Sequence, residues 1–352
     1  MLKTEIPGDD STRTIIDKVF PFRTIISLVA AACLIYFLAS QFKLDWGETI
    51  RNVRSINLPI YLSAIALYYM SFFFRGLRWR VLAVNASKVK IGNSTGAIEQ
   101  SDGLIPGLMS CTTLILSAWF VNSITWLRMG DAYRAYTFGS ETSRGFSWSL
   151  GTILAERVLD MFIIVLLLIT ALFFLSSALN STTSRFLLIA SVVMALALVL
   201  VVLVLISAGG RITSLLPNYL KEALLNLRAG TMGSFTRLPI ITMLGASGWV
   251  MEIMRVWLVV HSLGINVSIS LIVFVAIGNA ILSTVPTPGG VGAVEPGITG
   301  LLLLGMDSSQ AAAVAISDRS ITYLSVLVIG GIIFFARQTF YSDKKKIWEK
   351  LR

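Results

Sequence analysis

Glu156 and Asp160 stand four residues apart with Arg157 between them, at the head of a run made mostly of Leu, Ile, Val and Phe. That spacing puts both carboxylates on one face of a helix, with Arg157 about 100° round from Glu156. Charge inside an apolar run is costly and usually has a use. The trio suits an ion-paired group facing an internal cavity near a cytoplasmic interface, and the plainer reading is snorkelling with helix-end pairing. Glu252 and Arg255, three apart in another apolar run, are spaced for an intrahelical ion pair. Lipid penalises either charge alone by roughly 2.5–3.5 kcal/mol, so the pair is expected to face inward, as a binding group or as a structural staple.

The most specific pattern is Pro286-Thr287-Pro288-Gly289-Gly290-Val291-Gly292-Ala293-Val294-Glu295. Gly289, Gly290 and Gly292 let the backbone bend sharply and approach a ligand closely. A half-helix starting after this loop would aim free N–H groups at an anion such as a lipid phosphate. Glu295 there could pair with a buried Arg, accept a proton or contact an amine. A tight structural turn is the alternative. The run Arg128-Met129-Gly130-Asp131-Ala132-Tyr133-Arg134 reads as a charged loop closing onto a helix start, or as a plain solvated loop. Arg75-Gly76-Leu77-Arg78-Trp79-Arg80 reads first as an Arg and Trp interfacial anchor ending a span, with phosphate contact from Arg75 or Arg78 as the sharper alternative. Asp318-Arg319 is expected to open the last span, from where Arg319 reaches the Gly-rich loop. No Ser/His/Asp triad, nucleotide loop or metal-ligand spacing is present. His261 is single, and Cys33 and Cys111 both lie in apolar stretches, so neither a metal site nor a disulfide framework is expected, nor any cofactor.

The elements that must position these residues belong in a bilayer. Of 352 residues, 55% are hydrophobic and 14% charged, with a mean hydropathy of +0.78. A soluble domain carries about a quarter charged residues. The expected fold is an all-α integral membrane protein of about six full spans plus two broken, re-entrant helical hairpins. The spans fall near 23–40, 57–74, 147–177, 186–208, 239–260 and 320–338. Regions 104–126 and 269–305 carry Pro and Gly that a lipid-facing helix does not tolerate, so they are read as the broken pair, entering from opposite faces. Turning both back sorts the basic residues. The tails and the segments 75–90, 128–144 and 209–238 then lie inside, leaving Lys43, Arg51, Arg54, Arg185 and Arg319 outside. Residues 1–22 form a cytoplasmic tail, 23–338 a single transmembrane domain and 339–352 a basic cytoplasmic tail. The first apolar run is read as a retained span, not a signal peptide. The segments 75–103 and 209–238 are read as polar loops with no core of their own. The net charge of +10 flanks the spans and suits anionic lipid; it forms no separate basic domain for nucleic acid.

The order of these motifs, from Arg75-Gly-Leu-Arg-Trp-Arg80 through Arg128-Met-Gly-Asp131 with Arg134, Glu156-Arg-Val-Leu-Asp160 and Pro288-Gly-Gly-Val-Gly-Ala-Val-Glu295 to Arg319, resembles the lysylphosphatidylglycerol synthase transmembrane, flippase-like (UPF0104-type) family across about residues 20–340. The resemblance implies movement of a lipid between leaflets of the cell membrane, such as an aminoacylated phosphatidylglycerol or a polyprenyl-linked lipid, with Arg157, Asp160, Glu295 and Arg319 at motif positions. The family's first motif often reads Pro-Gly-Arg-x-Gly-Glu. Here Trp126-Leu127 precedes Arg128 and Asp131 replaces the Glu. The implied partners are membrane lipids and, potentially, a separate lipid-modifying enzyme. A soluble aminoacyltransferase domain is not expected in this chain. The rival reading is an intramembrane enzyme or accessory subunit for a lipid-linked glycan or aminoacyl-lipid, with Glu156, Asp160 or Glu295 as acid or base.

Overall fold

The computed structural model describes residues 45–88, 105–175 and 217–339, with scattered helical positions between 189 and 204. The expected tail 1–22, the span 23–40, most of the span 186–208 and the basic tail from 340 onward lie outside the described residues. All regular structure among the described residues is helical: α1 Trp46–Arg54, α2 Leu58–Ser87, α3 Leu108–Ile124, α4 Gly130–Glu141, α5 Phe146–Leu175, α6 Asn218–Ser234, α7 Leu238–Ser262, α8 Ile269–Leu282, α9 Val294–Leu302 and α10 Ser308–Thr339, with 3-10 turns at Trp126–Arg128 and Pro288–Gly290. By length and composition α2, α7 and α10 can cross a membrane, and α3 and α8 are shorter apolar helices.

α2 is the axis. Asn57 caps it by accepting from the Ile60 N–H at 3.4 Å, and Pro59 sits in the first turn where its missing N–H costs nothing. The helix then runs for 30 residues, about 45 Å. The sequence reading ended this span near residue 74 and placed Arg75 to Arg80 at an interface. Instead the helix carries them through its interior, with Arg78 2% and Trp79 0% exposed. α7 returns antiparallel. Its end meets the start of α2, where the Asn57 N–H donates to the Ser262 carbonyl at 2.7 Å, and its beginning meets the end of α2, where Asn85 donates to the Thr236 carbonyl at 2.6 Å. α10 begins at Ser308, well before the expected residue 320, because Asp307 caps it by accepting from the Gln310 N–H at 2.8 Å. Asp318 and Arg319 therefore sit inside this helix and do not open it. The segment 209–238, read as a polar loop, holds α6, whose Thr231 hydroxyl donates to the Gly151 carbonyl of α5 at 3.0 Å.

Of the two expected breaks the second exists, whereas the first does not fall within its region. Region 104–126 contains α3, which is unbroken from Leu108 to Ile124; the reversal falls at Thr125–Met129, where Leu127 and Arg128 take positive φ of 58° and 53°. α4 then returns along α3. Gly130 lies against Asn122 at the turn, and Arg337 ties Ser110 of α3 to Glu141 of α4 at the open end. The second hairpin is α8 and α9. Gly297 faces Leu282, Gly278 faces Leu301 and Gly305 faces Leu271, an antiparallel register. The first hairpin opens at the Ser87 end of α2, where Arg80 donates to the Pro106 carbonyl at 3.2 Å and Arg144 to the Ser87 carbonyl at 3.2 Å. The second follows α7 at the Asn57 end. The two enter from opposite ends and meet tip to tip, with Gly289 against Ser123.

Close approach at the first tip has one strict requirement. A Cβ on Gly130 would stand 2.0 Å from the Ala118 carbonyl and 2.6 Å from the Asn122 side-chain oxygen. Backbone of α3 cannot yield as a flexible side chain would. Gly130→Val is expected to cost about 1–3 kcal/mol by overpacking, read as a lower unfolding midpoint in detergent.

Candidate functional site

Three charged groups surround the tips, and each draws on at least two elements. In the first, Arg78 of α2 donates from Nη1 to Asp160 Oδ1 at 2.7 Å and from Nη2 to Glu156 Oε1 at 3.1 Å. The helical face shared by Glu156 and Asp160 is what presents both to one guanidinium. Arg134 of α4 binds the other oxygen of Glu156 and lies over the Trp79 ring at 3.8 Å. Arg157, one step round the helix, turns to Asp131 at 3.2 Å and Asp160 at 3.7 Å. Three arginines meet three carboxylates, so the group is neutral as a whole. Arg78 fits only because Gly245 on α7 has no side chain: a Cβ there would stand 2.9 Å from Nη1.

The second group starts one turn away on α2. Arg75 faces Glu252 of α7 at 3.5 Å, Arg255 binds Glu252 at 2.7 Å as its spacing predicts, and Arg255 also binds Asp318 of α10. Arg75 and Arg78 thus link the two groups across a cleft completed by Asp160, Gly245, Gly248 and Trp249. Its volume, about 10 Å³, has room for roughly one water.

The third group holds the Gly-rich tip. Gly289, with φ +59°, turns its carbonyl to Arg319 Nη2 at 2.9 Å, and Arg319 Nε donates to Glu295 Oε1 at 2.8 Å. Arg319 reaches the loop as expected, from within α10. The second oxygen of Glu295 accepts from the Gly292 N–H at 2.8 Å. The helix start that was expected to face an external anion therefore already carries an internal one. Gly290 and Gly292 take φ of +71° and +87°, conformations that L side chains rarely adopt.

Arg128 joins the tips. From the reversal of the first hairpin it donates to the Ser283 carbonyl at the end of α8. It is the one arginine of the site without a salt bridge among the described residues. Beside it Arg157 and Asp131 keep 37% and 30% of their side-chain surface exposed, whereas Arg78, Arg134 and Arg255 are at most 3% exposed. The site thus divides into buried, neutral clamps and one partly exposed corner with a net positive charge. The sequence reading left out three members: Asp318, Ser283 and Asn122, whose side chain accepts from the Gly130 N–H at 2.8 Å. An acid next to Arg319 was a legible signal for Asp318; a serine carbonyl and an asparagine in an apolar helix give none. Among the described residues no group of His, Cys, Asp and Glu could hold a metal.

A helical membrane protein with two opposed hairpins that meet tip to tip, flanked by buried ion pairs, is the class these features define. The family described as Lysylphosphatidylglycerol synthase TM region matches residues 24–330, and the chain belongs to it. The chain is 29% identical to a UPF0104 membrane protein of Methanocaldococcus jannaschii over 61% of its own length and 93% of the relative's. A UPF0104 membrane protein of Methanothermobacter thermautotrophicus is 25% identical over 93% of this chain and 97% of its own length.

Proposed function

We propose that the chain moves an anionic phospholipid or polyprenyl-linked lipid between the leaflets of the cell membrane, with both hairpins re-entrant and both termini cytoplasmic. The observation that carries this is the meeting of the tips at Arg128 and Ser283, with a half-buried cation at the junction that makes no salt bridge among the described residues. Irregular backbone at depth is tolerated where protein buries it or water reaches it, and opposed broken helices are a common way to build a midplane transport site. A phosphate headgroup would engage Arg128 and Arg157 while its tails stay in hydrocarbon. Arg75, Arg78, Arg134, Glu252 and Arg255 would hold the helices around it, and Glu295 with Arg319 would hold the glycine loop. A neutral surround keeps binding weak enough for the lipid to leave.

The alternative, an intramembrane enzyme or accessory subunit for lipid-linked glycan or aminoacyl-lipid synthesis, needs a free acid or base. Glu156, Asp160 and Glu295 are each bound by an arginine, which argues against that role. The test is reconstitution into liposomes carrying headgroup-labelled phosphatidylglycerol. Exchange of label between leaflets with the lipid chemically unchanged is expected. A new lipid product, or exchange no faster than in protein-free vesicles across anionic and polyprenyl-phosphate lipids, would overturn the reading.

A further inference from the structure

The hairpin site leaves unexplained the short helix α1, which crosses nothing and whose apolar side is uncovered among the described residues. Asp45 starts it by accepting from the Glu48 N–H at 3.0 Å, and Ser55 ends it by returning its N–H to the Arg51 carbonyl at 3.0 Å. One edge is seated in the bundle: Thr49 is 1% exposed and α1 lies on the first turns of α10. Trp46 and Ile50, one turn apart on the adjoining face, are 53% and 51% exposed. Arg54 continues the stripe of Trp46 and Ile50 by one more turn, and Arg51 stands about 100° round from Ile50; both are exposed and without a salt bridge among the described residues, and the one acid within the helix is Glu48.

Trp beside an aliphatic residue on one face, with arginines that make no salt bridge among the described residues, is what a helix lying in the headgroup layer needs. The ring and aliphatic chain enter the acyl boundary and the guanidinium groups stay at the phosphates. A protein partner of ordinary strength would require a broader apolar area than two side chains on a nine-residue helix. We infer that α1 docks on an anionic lipid surface at the Asn57 end of the bundle, through Trp46, Ile50, Arg51 and Arg54. Its seat on α10 gives this surface a mechanical connection to the helix that carries Asp318 and Arg319, and so to the glycine loop. The inference stands on α1 alone and does not depend on lipid transport.

The test places a fluorophore at Ile50→Cys, with Cys33 and Cys111 replaced by Ser, in the full chain reconstituted in phosphatidylcholine vesicles. Brominated phosphatidylglycerol and brominated phosphatidylcholine are compared as quenchers, with Glu48→Cys as the water-facing control. Quenching at 50 and not at 48 is expected, with phosphatidylglycerol preferred. Each of Arg51→Gln and Arg54→Gln should lower that preference about fivefold. No quenching at 50 by either lipid overturns the docking, whether the position proves water-facing or covered by another protein chain. Equal quenching by both lipids overturns the anionic preference. Loss of lipid exchange with quenching intact would count against the transport proposal and leave this inference standing.

Discussion

Replacing Arg78 with Met is expected to lower the free energy of unfolding by about 3–5 kcal/mol, the largest stability effect of any single change in the site. The guanidinium serves Asp160 and Glu156 together, and both Arg78 and Glu156 are 3% exposed. A methionine keeps much of the volume but leaves Asp160 with Arg157 alone at 3.7 Å, and Glu156 with Arg134 alone. Most of the cost is then the desolvation of carboxylates that have lost a partner, not the loss of an attraction. That distinction makes the prediction specific. Adding Asp160→Asn to Arg78→Met removes the stranded charge and should recover more than half of the loss, since exchanging a whole buried pair is often close to neutral. Arg78→Lys should fall between, because one ammonium cannot span two carboxylates in the planar fork that Arg provides. Unfolding by increasing SDS fraction in mixed micelles measures all three. A loss below about 1 kcal/mol for Arg78→Met would mean that water reaches the pair freely and that the clamp is not a dry one.

The stretches of helix that the sequence displayed openly were those with a single reason to be helical. α5 and α7 lie within a few residues of their expected bounds because their apolar length outweighs the few charged residues each carries. Two of the errors share a cause. α2 and α10 were cut short wherever charge appeared, at Arg75 and at Asp318, on the assumption that charge marks an interface. Each of those charges meets an opposite charge on another helix, and a neutral pair does not need an interface. Partners that far apart in the chain, such as Arg78 and Asp160 or Arg255 and Asp318, leave no local spacing to read. Local pairs were legible: Glu252 with Arg255, and the common face of Glu156 and Asp160. The glycine loop was legible because Pro and Gly act locally on the backbone. The first reversal was placed too early because its strain falls on Leu127 and Arg128, residues with no turn preference, while Gly107 is merely the cap of α3 and Pro106 the residue before it. The helix α6 was missed because its buried residues are Gly230, Thr231, Gly233 and Ser234, small groups that dock against backbone and carry no hydrophobic signal.

Arg128→Gln is expected to slow lipid exchange by about ten- to a hundredfold with little change in stability, the reverse of the Arg78 pattern. The two arginines differ in what they leave behind. Removing Arg78 strands carboxylates; removing Arg128 strands only the Ser283 carbonyl, to which a glutamine amide can still donate. No buried charge is uncovered, so the cost to folding should stay within about 1 kcal/mol. What is lost is the one guanidinium at the tips not neutralised by a carboxylate bond, and with it a charge-assisted hydrogen bond worth about 1.5–3 kcal/mol to a passing phosphate. If that bond is made at the highest point of the headgroup's path, its whole value appears in the rate. Arg128→Lys keeps the charge and should retain much of the exchange rate, separating attraction for phosphate from the tie between the tips. Measured with labelled phosphatidylglycerol in liposomes, a Gln variant at full rate would remove Arg128 from the path. A Lys variant as slow as the Gln variant would make it a structural strut. A phosphate at this corner would also stand close to Asp131 and Arg157, so exchange of a zwitterionic lipid should respond less to Arg128→Gln than exchange of an anionic one. That contrast isolates headgroup charge from any general loosening of the hairpins, which would slow both lipids alike.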